Sequence, residues 1–375
     1  MLCDREAYAL YASNGIPICA THAPTRYVDG NGVKRWCYRL HKARGSHLKD
    51  EASQPDVLFA DPVLDPDCPD GVPTEKYLAK VRAGGATLAR TYPFVDRWQF
   101  GSEFFGTYPT EYWSPDGNPT NAYMNFAKIL KAFGEGIKSV CPEKPYAGDD
   151  PWNMNPGQGI DEVAGILAAA NALGWKFDKV SFHSYRNRPE APDLDADLAA
   201  VRKMMERLGY GGTPLDLPEG MHWGPYEIPQ WSTVSASWGS APITWPNGAI
   251  SYDIGWTEKV SASWFARSWV MALRHDVRLA CASMHHSNFA LEHDRLTPRA
   301  AQLVANVIGH QLGHAKAFLA DTRFAPNVRS YVFDDGFGRP VAVVWGCDPE
   351  VDAGRRAPSA VGKTVALSRL PSNGT

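Results

Sequence analysis

Two glutamates, Glu103 and Glu219, stand at the ends of two short apolar segments that are typical of buried strands. Glu103 lies in the aromatic-rich stretch 95–106, and Glu219 lies in the stretch 213–224. Cleaving a sugar acetal needs two carboxyl groups, one that holds a proton near neutral pH and one that is ionised and acts as nucleophile or base. Their positions on two separate strand ends therefore predict acid–base chemistry on a glycosidic bond.

A surface position is the commonest fate of a glutamate, and it is the alternative interpretation of Glu103. The aromatic side chains between Trp98 and Phe105 argue against it, because a carboxyl group among them would be poorly hydrated and its pKa would rise. Glu227, in a Tyr-Glu-Ile sequence, is a competing carboxylate for the role of Glu219. We therefore predict that Glu103 is the less ionised member of the pair and Glu219 the charged one.

The elements that would hold these carboxylates alternate between short apolar strands and amphipathic helices, which indicates an α/β protein with a parallel sheet and helices outside it. At this length a (β/α)8 TIM-type barrel is the best-fitting architecture. An open doubly wound sheet is second, because no GxGxxG follows a strand. Residues 22–72 are rich in Asp, Pro and Gly and predict a long loop. The predicted strands are Ile16–Thr21, Asp96–Ser102, Pro145–Gly148, Lys179–His183, Pro214–Leu217 and Arg278–Met284, and the predicted helices are Thr74–Arg90, Asn121–Val140, Ile160–Leu173, Asp193–Leu208, Thr257–His275 and Arg299–Leu319.

The pattern changes from Asn327 onward, and we divide the chain into a predicted barrel, 1–322, and the start of a small β-sandwich-like accessory region, 323–375. In that second part helical periodicity is lost and alternating segments flank a turn at Asp334–Gly336, which predicts an antiparallel hairpin. The predicted strands of this region are Val328–Phe333, Arg339–Trp345 and Thr364–Leu367.

In an α/β barrel the active site is built at the C-terminal ends of the strands, so polar and aromatic residues there are candidates for substrate binding. His183 and Tyr185 have the alternative of being satisfied polar groups in the core. His285 and His286 raise the alternative of a metal site with His183, but neighbouring residues of a strand point to opposite faces, so we predict no metal. The predicted substrate-binding residues are His22, Ser102, Trp152, His183, Tyr185, His222, Trp223 and His285.

Four motifs, taken in order, carry a resemblance to a known clan. Trp98-Gln-Phe-Gly-Ser-Glu103 is similar to Trp-Gln-Ile-Trp-Asn-Glu-Pro, Phe182-His183-Ser-Tyr185 to His-x-Tyr, and Leu217-Pro-Glu219-Gly to Thr-Glu-x-Gly. The stretch Ser330-Tyr-Val-Phe with Gly338-Arg-Pro and Val344-Trp is similar to the clan's C-terminal β region. From about residue 7 to residue 346 the chain thus resembles the retaining glycoside hydrolases built on (β/α)8 barrels.

This resemblance implies that Glu103, ending strand 4, is the acid/base and that Glu219, ending strand 7, is the nucleophile of a β-glycosidase that needs no cofactor. Ser102 stands where the clan has Asn, and strands 1 and 2 of the barrel would be missing, so we expect six of eight strands. Both departures favour a rival interpretation, a non-catalytic carbohydrate-binding or degenerate barrel. A metal-dependent barrel hydrolase is a third.

Composition excludes several other classes. The 375 residues carry a net charge of −3, which does not favour nucleic acid or an anionic membrane surface as partner. No apolar run reaches the roughly 18 residues of a membrane span, and seven cysteines without a CxxC argue against a zinc site. The expected partner is an oligosaccharide or simple glycoside. No signal peptide is visible, which predicts a cytoplasmic protein, or a secreted or periplasmic one if a leader precedes Met1.

Overall fold

The computed structural model describes seventeen groups of residues along the chain, and the account below is confined to them. The chain divides into two compact units, Met1–Phe182 with Lys203–Pro214, and His183–Arg202 with Leu215–Thr375. The described residues are 13, 19–21, 25–28, 34–39, 57–60, 65–101, 105, 113–151, 154, 157–184, 189–190, 193–219, 242–244, 250–252, 258–280, 300–321 and 328–346.

These residues form a mixed α/β structure, as predicted. The helices are α1 (Glu75–Thr91), α2 (Pro119–Val140), α3 (Gly159–Ala172), α4 (Leu194–Arg207), α5 (Glu258–Arg274) and α6 (Ala300–Leu312). The strands are β1 (Cys19–Thr21), β2 (Thr25–Val28), β3 (Lys34–Arg39), β4 (Val57–Ala60), β5 (Arg97–Gln99), β6 (Tyr146–Ala147), β7 (Val180–His183), β8 (Leu215–Glu219), β9 (Pro242–Thr244), β10 (Ile250–Tyr252), β11 (Val277–Ala280), β12 (Ala317–Asp321), β13 (Val328–Asp334) and β14 (Pro340–Gly346).

A parallel sheet organises the first unit, with β5 between β1 and β6. Trp98 pairs with Ala20 on one side and with Tyr146 on the other, and a further parallel bridge joins Ala147 to Lys179 just before β7. Helices α2 and α3 connect β5 to β6 and β6 to β7, which is the crossover that parallel neighbours require. The predicted strand–helix alternation is therefore confirmed here, whereas a closed barrel stays a prediction.

Helices α1 and α2 pack closely because glycines line their contact. A methyl group on Gly85 would overlap the carbonyl oxygen of Phe133, and one on Gly136 would overlap that of Arg82. Thr74, as predicted, lies at the N-terminus of α1, where its hydroxyl accepts a hydrogen bond from the Tyr77 N–H at 3.3 Å. Glycine weakens a helix, but packing explains Gly85 and Gly136, since only a residue without a Cβ lets the two helix backbones come this close.

The prediction of a continuous loop over residues 22–72 is wrong. The strands β2, β3 and β4 form an antiparallel sheet in that segment, with Arg26 opposite Trp36 and Tyr38 opposite Phe59. Each of these strands is short and flanked by Asp, Pro or Gly, so composition alone favours a loop. Pairing between segments supplies the hydrogen bonds that the local sequence does not reveal.

In the second unit β8 and β11 run parallel, with Leu215 opposite Val277 and Leu217 opposite Ala280. The predicted hairpin near the C-terminus is confirmed, since β13 pairs antiparallel with β14 over its whole length. The predicted strand Thr364–Leu367 lies outside the described residues. The division of the chain at residues 322 and 323 stays a prediction.

The predicted helix Arg299–Leu319 is too long. Helix α6 ends at Leu312, where Gly313 donates a backbone hydrogen bond to Gly309 O at 2.9 Å. Strand β12 then pairs antiparallel with β13, and exposed residues alternate along it with half-buried ones. The sequence pattern extends the helix into these residues, whereas pairing with β13 gives their backbone groups a different set of partners.

Candidate active site

Most of the predicted site lies outside the described residues. Of the two proposed catalytic residues, Glu219 is the last residue of β8, with its side chain outside the description, and Glu103 is not described. Of the predicted substrate-binding residues, the description includes His183. The others, His22, Ser102, Trp152, Tyr185, His222, Trp223 and His285, lie outside it, so the proximity of these groups stays a prediction.

The backbone that leads from β5 toward Glu103 is fixed by buried side chains. Gln99 is buried and its Nε2 donates a hydrogen bond to Gly101 O at 2.7 Å. Phe100 is also buried and meets the rings of Phe126 and Phe133 edge-on, with centroids 5.9 and 5.1 Å away. The side chain of Gln99 thus binds the backbone just beyond the end of its own strand and holds it at Gly101, two residues before Glu103.

On the other side of Glu103, Phe105 is held by a buried carboxylate and by aromatic stacking. Its N–H donates a hydrogen bond to Asp149 Oδ2 at 2.7 Å, which joins the segment after β5 to the segment after β6. Its ring stacks on Trp113, with centroids 5.7 Å apart and planes 11° apart, and Trp113 Nε1 donates back to Phe105 O at 3.2 Å. Glu103 therefore lies in the sequence midway between two anchored residues, Gly101 and Phe105.

Two acidic residues at the end of β6, Asp149 and Asp150, were missed by the sequence analysis. Both are buried, at 6% and 0% exposure, which is unusual for carboxylates. Burial, together with the charge of Asp149, raises the pKa of Tyr146 well above its ordinary value. The signal in the sequence is the run Gly148-Asp-Asp-Pro151 directly after a strand, at the position where barrel sites are built.

At the end of β7, His183 and Ser184 are both buried and engaged in contacts. Because the imidazole of His183 has no exposed surface, it is suited to orienting a neighbouring group rather than to meeting a ligand that arrives from solvent. This burial fits one of the alternatives set out above, a polar core group. Within β8, Asp216 is likewise buried, at 3% exposure, and it is not among the predicted site residues.

The segment that follows β7 is fastened within the second unit by ion pairs, of which the one between Glu190 and Arg267 is buried. Glu190 accepts a hydrogen bond from Arg267 Nε at 2.9 Å, and Trp345 Nε1 donates to the same carboxylate at 3.0 Å. Asp193 binds both terminal nitrogens of Arg329, at 3.0 and 2.7 Å. The loop between β7 and α4 is therefore tied to α5, β13 and β14.

Asp195 completes this set of ion pairs. Burial raises the pKa of its carboxyl, but the hydrogen bond with His275 and the charge of Arg274 outweigh burial and lower the pKa below its ordinary value. Its Oδ1 lies 2.7 Å from His275 Nε2, and its Oδ2 contacts Arg274. The guanidinium of Arg274 also lies over the Tyr331 ring, 4.9 Å from its centroid. These contacts hold the first turn of α4 against the end of α5.

Across the ranges that the structure describes, no group of three or more His, Cys, Asp or Glu side chains is arranged to hold a metal ion. Among the helices of those ranges, none combines the length and the apolar character that a bilayer span requires.

No protein-family model matches this chain, and no curated protein matches it. Similar solved structures include a glucosidase from Croceicoccus marinus, with 16% identity, a TM-score of 0.43, and coverage of 68% of this chain and 53% of the glucosidase. A GH39 β-xylosidase from Caulobacter crescentus has 14% identity and a TM-score of 0.39, with coverage of 69% and 53%. A family 51 α-L-arabinofuranosidase from Bifidobacterium longum has 14% identity and a TM-score of 0.45, with coverage of 74% and 58%.

The chain thus spans a little over half the length of these three glycoside hydrolases. At such identities and TM-scores the likenesses do not establish an activity for this chain, which has to be inferred from its own residues.

Proposed function

We propose that this protein is a glycoside hydrolase that cleaves β-glycosidic bonds by retaining double displacement, with Glu103 as acid/base and Glu219 as nucleophile. The observation that carries the proposal is the position of each glutamate relative to a parallel strand. Glu219 is the last residue of β8, and Glu103 follows β5 between the anchored residues Gly101 and Phe105. The C-terminal ends of parallel strands are where α/β proteins bind ligands and perform chemistry.

In the first step the carboxylate of Glu219 attacks the anomeric carbon while Glu103 donates its proton to the glycosidic oxygen. The bond between carbon and that oxygen breaks, the alcohol leaves, and a covalent glycosyl–enzyme ester remains. In the second step Glu103, now ionised, takes a proton from water, whose oxygen attacks the same carbon and releases Glu219. This sequence requires the two carboxyl groups to lie about 5–5.5 Å apart.

The two glutamates need different pKa values, because one must hold a proton while the other stays charged. The aromatic residues beside Glu103, of which Phe100 and Phe105 are buried, supply a poorly hydrated setting for the acid. We assign His183 the role of orienting the Glu219 carboxylate. Ser102, Trp152, Tyr185, His222, Trp223, His22 and His285 are proposed to line the cleft around an oligosaccharide or glycoside substrate.

The test uses activated aryl β-glycosides of several sugars. Glu219→Ala should abolish turnover, and azide should restore release of the aryl group by attacking the open anomeric face. Glu103→Ala should largely spare the first step with a good leaving group, which needs little protonation, and should slow the second. Glu227→Ala, which removes a carboxylate close in sequence to Glu219, is the matched control and should keep the parent rate.

A non-catalytic carbohydrate-binding protein is the second candidate, favoured by Ser102 where the resembling enzymes have Asn. If neither glutamate variant changes the rate of aryl glycoside cleavage, the pair is not catalytic and the binding function replaces the enzymatic one. Retention of oligosaccharide binding in both variants would then be the positive observation for that candidate.

A further inference from the structure

A groove lies between the C-terminal end of α6 and the turn that joins β13 to β14, within the second unit. Its volume is about 640 Å³, and its lining includes His310, Gln311 and His314 on the helix side and Phe337 and Arg339 on the turn side. Small-molecule sites usually enclose about 300–1,000 Å³ and combine an apolar surface with a few polar groups. The volume of the groove falls within that range, and its lining contains both apolar and polar side chains.

The turn that carries Phe337 is held rigidly. The carboxylate of Asp335 accepts hydrogen bonds from the N–H of Phe337 at 2.8 Å, from the N–H of Arg339 at 3.1 Å and from Arg339 Nε at 2.7 Å. Gly336 has a positive φ of 87° and sits so close to the His314 carbonyl oxygen that a Cβ would overlap it. The ring of Phe337 is thus presented by a turn fixed on both sides.

Phe337 is 69% exposed although it is a large apolar side chain on a fixed turn. Its ring meets that of His314 edge-on, with centroids 5.6 Å apart, and the Arg339 guanidinium carbon lies 5.9 Å from its centroid. An exposed aromatic face between an imidazole and a guanidinium offers stacking together with hydrogen-bond donors. This combination suits a pyranose, because the C–H face of the sugar ring is apolar and can stack on the phenyl ring. The sugar hydroxyls lie around the edge, where the donors can bind them.

Charge favours a neutral ligand over an anionic one. The guanidinium of Arg339 is paired with the buried carboxylate of Asp335 at 2.7 Å, so its charge is balanced within the turn. The arginine of the lining therefore presents no unbalanced charge to a phosphate or a sulfate.

We propose that this groove is a subsite for one neutral sugar unit of an oligosaccharide chain, with Phe337 as the stacking platform. The choice of a sugar among ligands with an apolar face rests on the proposed function. A subsite of this kind would add to the affinity for a polymer without taking part in bond cleavage.

The subsite can be measured by the retardation of the full chain in native gels that contain soluble β-glucan, arabinoxylan or galactomannan. The Glu219→Ala variant is used throughout so that the polymer stays intact. In that background Phe337→Ala should raise the dissociation constant for the retarding polymer about tenfold, the loss expected for a stacking contact and its buried area, and Phe337→Trp should preserve it. Leu319→Ala, which also removes an exposed apolar side chain from the β12–β13–β14 sheet, is the control and should leave retardation unchanged.

The proposal is overturned if Phe337→Ala and Leu319→Ala give equal retardation, or if none of the polymers retards the background variant. It is also overturned if Phe337→Ala changes only the oligomeric state measured by light scattering, because a second copy of the chain would then be the occupant. Loss of retardation in Phe337→Ala together with catalytically silent Glu103 and Glu219 variants would refute the proposed function alone. If cleavage depends on the two glutamates but Phe337→Ala is retarded as strongly as the background variant, the subsite alone is refuted.

Discussion

Replacing Asp149 by Ala tests whether the end of β6 positions the proposed acid/base. The substitution removes the carboxylate that accepts the Phe105 N–H at 2.7 Å, and it leaves that buried donor without this partner. Losing a buried hydrogen bond to a charged acceptor costs about 1.5–3 kcal/mol, so the free energy of unfolding should fall by about that amount. Phe105 is two residues from Glu103, and a misplacement of about 1 Å can cost about a hundredfold in rate.

We therefore expect Asp149→Ala to lower kcat for an aryl β-glycoside by about tenfold to a hundredfold, with little change in KM, at a temperature where the variant remains folded. Asp149→Asn keeps an oxygen acceptor and should preserve most of kcat. The matched control is Asp178→Ala, because Asp178 Oδ2 accepts the Tyr146 N–H at 2.9 Å at the opposite end of the same strand.

The two alanine variants separate positioning from stability. Urea titration should show a loss of unfolding free energy in both, smaller in Asp178→Ala because that side chain is 41% exposed. Hydrogen exchange followed by mass spectrometry should show faster exchange around Phe105 only in Asp149→Ala. If the two variants lose equal fractions of kcat, or if Asp149→Asn is as slow as Asp149→Ala, the positioning argument is refuted. The hydrogen bond to Phe105 would then contribute to stability alone.

Three further outcomes follow from the described contacts. Glu190→Ala removes one partner of a buried ion pair and should lower the free energy of unfolding in urea by about 3–5 kcal/mol. The pKa of Asp195 is lowered in the folded state, so its stabilising effect should be complete above about pH 5 and lost as the pH falls below about 4, and Asp195→Asn should flatten this part of the unfolding profile. Gly136→Ala forces a methyl group against Arg82 O and should lower the free energy of unfolding in urea by about 1–3 kcal/mol. Gly212→Ala, where the added methyl group meets open space, should leave it nearly unchanged in the same titration.

Local patterns predicted the helices of the first unit well. The sequence predicted Asn121–Val140 where α2 runs from Pro119 to Val140, and Ile160–Leu173 where α3 runs from Gly159 to Ala172. Amphipathic spacing and capping residues act within a few positions, so they can be read without knowing the fold.

Pairing partners were harder to predict. The β2–β3–β4 sheet and strand β12 depend on hydrogen bonds to segments distant in sequence, and no local period distinguishes β12 from another helical turn. In the candidate site the sequence placed His183 at a strand end, but its full burial could not be read from residue type. Asp149 and Asp150 were not predicted as site residues, because the role of such a carboxylate depends on which backbone groups the fold brings within reach, as with Asp149 and the Phe105 N–H.

The ion pairs around Glu190 have a consequence for how the protein can be divided. Trp345 and Arg329, which come from the C-terminal hairpin, bind carboxylates in the segment just after β7. A shortened chain ending before β13 would keep the buried Glu190 with one of its two partners removed and would leave Asp193 without Arg329. The hairpin therefore does not behave as an exchangeable module: its gain, loss or transfer between proteins would require matching changes more than a hundred residues away in sequence.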